Sequence, residues 1–71
     1  MHRRWFKAYH QGQPLDQPVP VDDLPRRATI AGHVATCKGR GGALIDVYVL
    51  AADAEQAQQL FEEARARLLA Q

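Results

Sequence analysis

Residues 43–68 read ALIDVYVLAADAEQAQQLFEEARARL, and two different periodicities meet inside them. In the first half Ile45, Val47 and Val49 alternate with Leu44, Asp46, Tyr48 and Leu50. Period two in β-branched residues predicts a strand over 43–51. In the second half Ala54, Ala57, Leu60, Phe61, Ala64 and Leu68 fall within an arc of about 120° when plotted at 100° per residue, the signature of an amphipathic helix. Asp53 stands where an N-cap is needed, Gln56 follows three residues later, and Glu55 complements the helix dipole. Glu55, Gln59, Glu62 and Glu63 occupy the opposite side, with Glu63 and Arg67 spaced to pair. A strand that feeds an amphipathic helix has to bury that helix against a sheet.

The glycine-rich run Lys38-Gly39-Arg40-Gly41-Gly42 precedes the strand, and glycine supplies the positive φ angles of a tight turn. Residues 29–38, with Ile30, Val34 and Thr36 on one face, form the strand before it. Gly32 marks a weak point or bulge there. A four-residue loop at 39–42 pairs Thr36 with Ile45 and Val34 with Val47, which gathers the large branched residues under the helix. A five-residue loop would invert the strand and bring His33 and Cys37 inward. An N-terminal strand over 3–9 completes the sheet, with Phe6 and Ala8 toward the core and Trp5, Lys7 and Tyr9 outward. The expected architecture is α+β: a two-layer sandwich of a three-stranded, mainly antiparallel sheet and one C-terminal helix. The most apolar strand, 43–51, is placed in the centre.

All four prolines, Pro14, Pro18, Pro20 and Pro25, lie in residues 11–25. Proline donates no backbone hydrogen bond and drives its predecessor to extended geometry, so this stretch reads as a connector within a single domain, 1–71. A chain of this length buries only about 60% of its unfolded surface. The single cysteine, Cys37, excludes an intrachain disulfide and favours a reducing, cytoplasmic setting. No run has the length or composition of a membrane span or a signal peptide.

Net charge is +1 overall, unevenly distributed. Residues 1–40 carry seven basic and three acidic side chains, whereas residues 41–71 carry two and five. Catalytic constellations are hard to find. The glycine run lacks the spacing of a phosphate-binding loop, although Lys38, Arg40 and open glycine amides could contact an anion. His33 and Cys37 on one strand stand about 13 Å apart, too far for a nucleophile and its base or for one metal. The carboxylate pairs Asp22-Asp23 and Glu62-Glu63 have no apolar pocket to raise a pKa, and His2 and His10 flank a strand as solvated groups. No enzyme activity, cofactor, metal or small-molecule substrate is expected.

The outer sheet face is unusually apolar, because a single helix covers only one side. Trp5, Tyr9, His33, Leu44, Tyr48 and Leu50 are the expected partner-binding residues there. Alternatively the connector folds back and buries the face with Leu15, Val19, Val21 and Leu24. The sequence therefore points to a non-catalytic interaction protein, a regulator, adaptor or inhibitor of the bacterial or phage accessory kind. It would bind a protein partner or a second copy of itself. A second expectation is a nucleic-acid-binding module that uses Arg3, Arg4, Lys7, Arg26, Arg27, Lys38 and Arg40 on phosphates, with Trp5 or Tyr9 stacking on a base.

Overall fold

The structure is a computed structural model and describes residues 2–69. It is α+β, with one C-terminal helix packed on a sheet, but the sheet has five antiparallel strands rather than three. They are β1 (Arg4–His10), β2 (Gln13–Val21), β3 (Thr29–Ala31), β4 (Val34–Lys38) and β5 (Leu44–Ala51), followed by α1 (Ala54–Leu69). The spatial order is β2-β1-β5-β4-β3, so the most apolar strand does lie in the middle.

The two additional strands have separate causes. Residues 11–25 are not an irregular connector: most of them form β2, hydrogen-bonded to β1 at the sheet's edge. An edge strand tolerates proline because half of its N–H groups have no partner to lose. Gln11 (φ 50°) and Gly12 (φ 82°) make the tight turn between the two, with the double positive φ of a type I′ hairpin. The second extra strand arises because 29–38 is folded at Gly32 and His33. Gly32 takes φ 64°, the first-position glycine of a type II′ turn, and Ala31 pairs with Val34 across it.

Two bulges alter the face assignments. Lys7 pairs with Tyr48 and Tyr9 with Val47, which leaves Ala8 as an extra residue in β1. One inserted residue inverts the alternation beyond it, so Tyr9 faces the helix instead of the outer side. Cys37 pairs with Asp46 and Lys38 with Leu44, leaving Ile45 as the extra residue in β5. The loop is thus five residues long, yet His33 and Cys37 do not move to the helix side, because this bulge restores the alternation. Val34 and Thr36 keep the helix-facing side but pair with Val49 and Val47, two residues from the expected partner for Val34 and Thr36 alike.

The helix-side core joins Phe6, Ala8, Tyr9, Val47, Val49 and Ala51 of the sheet to Ala57 and Phe61 of α1. The Tyr9 and Phe61 rings lie 6.0 Å apart, within the range of favourable aromatic pairs. The helix starts where the cap residues place it: Gln56 N–H donates to Asp53 Oδ1 at 2.8 Å. Gln56 Oε1 in return accepts from the Ala52 N–H at 2.7 Å, one residue earlier than in a standard capping box. No helix among the described residues is long and apolar enough to cross a membrane.

Candidate interaction surface

The outer side of the sheet has its own small core of Ala35, Cys37 and Tyr48. Trp5 and Val21 pack on it from the sheet, and Leu24 and Ala28 pack on it from the segment after β2. The chain therefore covers the middle of this face itself, with residues 22–28 rather than with the whole proline-rich stretch. Tyr48 retains only 5% of its surface.

The margins of the face stay open. Direct cross-strand partners run Val19, Lys7, Tyr48, Ala35, Ile30 from one edge of the sheet to the other. Partners directly opposite in an antiparallel sheet share a face. Val19 and Ile30, the ends of this row, are the exposed large hydrophobic residues of the described chain, at 50% and 60% exposure. A parallel row contains Val21, Trp5 and Leu50, each half-buried.

The expected contact residues are distributed differently from their sequence assignment. Trp5 and Tyr48 do meet on the outer face, but Tyr48 is buried there in a cluster on which Leu24 and Ala28 pack, and is not open to a partner. Tyr9 is not on that face: the Ala8 bulge puts it in the helix-side core, where its hydroxyl donates to the Gly12 carbonyl at 2.7 Å. Leu44 also packs toward the helix side, because the bulge at Ile45 turns it over. His33 is in the β3–β4 turn, exposed, with Arg3 Nη1 donating to its Nε2 at 2.9 Å. Leu50 stands beside Trp5. Val19 and Ile30 are the members sequence reasoning missed, since one was read as connector and the other as core.

The basic residues do not all lie together. Arg4 pairs with Asp22 at 3.6 Å, beside the Ala51 end of β5. Lys38 pairs with Leu44 at the other end of β5, about 23 Å away along the strand. Arg40 follows in the loop, where the Gly39 and Gly42 amides are already bonded to the carbonyls of Ala43 and Gly39. Those two amides are not open to an anion. Arg26 and Arg27 are exposed on the covering segment.

Lys7 is engaged inward. Its Nζ lies 3.5 Å from Asp46 Oδ1 and 5.7 Å from the Tyr48 ring centroid. Asp46, 7% exposed, also accepts from the Gln11 N–H at 3.1 Å and stands 3.6 Å from His10 Nδ1. The carboxylate thus ties the β1–β2 turn to the central strand, a task its place in an alternating strand did not reveal. Burial first, then the neighbouring Asp46 and Cys37, raise the Tyr48 phenol above its ordinary 10.0, against an opposing pull from Arg27. It stays protonated at neutral pH. Cys37 is buried, and His33 sits at the far end of β4 from it. Among the described residues no group of three or more His, Cys, Asp or Glu side chains is placed to hold a metal ion.

Comparison with protein-family models, with curated proteins and with solved structures finds no match to this chain.

Proposed function

We propose that this chain is a non-catalytic protein-interaction domain that docks a protein partner on the outer face of its sheet, in the manner of a small cytoplasmic regulator or adaptor. The observation that carries this reading is the single cross-strand row ending in Val19 and Ile30. Among the described residues the two most exposed large apolar side chains lie on one face, at its two margins, with the half-buried Trp5 and Leu50 alongside. Apolar and aromatic groups presented together are what protein interfaces concentrate. A buried free thiol suits a reducing compartment. The separation of Lys38 from Arg4 along β5, and the engagement of Lys7 with Asp46, give phosphate recognition less to work with.

The test is affinity capture from the native host after nuclease treatment, at low and at high salt. An apolar docking surface keeps its protein partner at high salt. Capture that disappears with nuclease, or collapses steeply as salt rises, indicates phosphate contacts and overturns the reading.

A further inference from the structure

The sheet ends in two unlike edges. β2 carries Pro14, Pro18 and Pro20, which remove donors and blunt pairing along that side. β3, Thr29-Ile30-Ala31, has neither proline nor charge. Ala31 and Val34 close a two-residue turn, so they form the hydrogen-bonded pair of that hairpin. The next pair, Ile30 with Ala35, is then the non-bonded kind, and Ile30 directs its own N–H and C=O away from β4 to the free edge. On the helix side of this edge lies a groove of about 270 Å³ between Ala31, Val34 and Thr29 of the sheet side and Leu68 of α1. Arg67 lines it as well. Among the described residues Arg67 makes no ion pair, not even with Glu63 one turn earlier.

We propose that the β3 edge and its groove bind an extended acidic peptide as a sixth strand. Ile30 supplies one donor and one acceptor to the peptide backbone. Peptide residues on either side of the one bonded to Ile30 direct their side chains to the groove face, because alternation is fixed at two. One of them is apolar and fills the space beside Ala31 and Leu68. The other, two positions away, carries a carboxylate to Arg67. Charge complementarity separates this occupant from a second copy of the chain. Antiparallel β3–β3 pairing about Ile30 would place both helices on the same side and bring two Arg67 cations to one seam. The site shares Ile30 with the Val19–Ile30 row, through its backbone instead of its side chain, so Val19→Glu tests the row alone and Arg67→Glu the groove alone.

The experiment is selection of displayed random heptapeptides on the full chain, followed by anisotropy titration of the recovered peptides. The expected winners carry an apolar residue and Asp or Glu two positions apart. Ile30→Pro removes the edge donor without touching the β3–β4 bonds, and Arg67→Glu reverses the charge on an exposed helix position. Each weakens binding about ten-fold or more, and Arg67→Glu shifts preference to peptides with Lys at the acidic position. Val19→Glu leaves the affinity unchanged. Thermal melts of the variants report the fold, and Arg67→Glu decides the matter if Ile30→Pro does not fold. Recovery of no binders, absence of an acidic preference, or indifference to Arg67→Glu overturns the proposal. So does a concentration-dependent dimer of the parent that Ile30→Pro abolishes, which assigns the edge to a second copy.

Discussion

Truncating Phe61 to alanine removes the ring through which α1 joins the core formed by β1 and β5. It is buried, it faces Tyr9 at a 6.0 Å centroid separation, and it belongs to the same core as Phe6, Val47 and Val49. Loss of a buried aromatic ring costs about 3–5 kcal/mol, and the pairing with Tyr9 adds about 0.5–1.5 kcal/mol to what its area alone would give. Stability of about 0.05–0.15 kcal/mol per residue gives a domain of this length only about 4–11 kcal/mol in total. Phe61→Ala therefore removes a large share of it. In urea the midpoint should fall sharply with an unchanged slope, because the native state keeps its compactness while the equilibrium moves. In a thermal melt each kcal/mol is worth about 4–8 °C at this size, so a fall of about 12 °C or more is expected. A loss below about 1 kcal/mol would contradict the placement of Phe61 in the core, since no buried ring at a helix–sheet seam can be removed so cheaply.

Asp46→Ala should destabilise by about 2 kcal/mol, because it leaves the Gln11 N–H and the Lys7 ammonium, on a side chain only 20% exposed, without their acceptor; Asp46→Asn, which keeps an oxygen there, should lose less, as urea titration of both variants will report. The raised pKa of Tyr48 has a definite sign: above pH 10 the unfolded chain ionises this phenol while the folded chain resists, so stability falls as pH rises through that window. Tyr48→Phe should flatten the fall, and identical pH slopes for parent and variant between pH 9 and 11 would contradict it.

What could be read from residues alone was the part in which several signals agree. Asp53, Gln56 and the Ala54-to-Leu68 stripe all specify one helix, and the structure has it within a residue of its expected start. The central placement of residues 43–51 followed from their being apolar on both alternating sets, as only an inner strand is covered on two faces. The prolines misled because proline is forbidden in the interior of a sheet but not at its edge, and a single chain does not announce which strand is the edge. The bulges at Ala8 and Ile45 left no mark at all. Neither residue is a glycine, and each bulge is selected by packing: one brings Tyr9 onto Phe61, the other turns Leu44 toward the helix-side core. Gly32 was recognised as a weak point, but turn and bulge draw on the same positive φ, so the residue could not say which. Of the outer face, Trp5 and Tyr48 were legible from alternation, whereas Val19 depended on a strand that alternation had not located and Ile30 on the turn at Gly32 and His33 that splits residues 29–38.

The most direct test of the docking surface is the double variant Val19→Glu with Ile30→Glu, used as bait beside the parent chain in quantitative affinity capture from the native host. Both side chains are exposed, so circular dichroism and thermal melting should show a folded domain within about 1 kcal/mol of the parent. The parent's protein partner should be lost from the variant, because two carboxylates would have to be desolvated without a mate inside the interface. Recovery of the same partner in the same amount by both baits, from a variant shown to be folded, would contradict it.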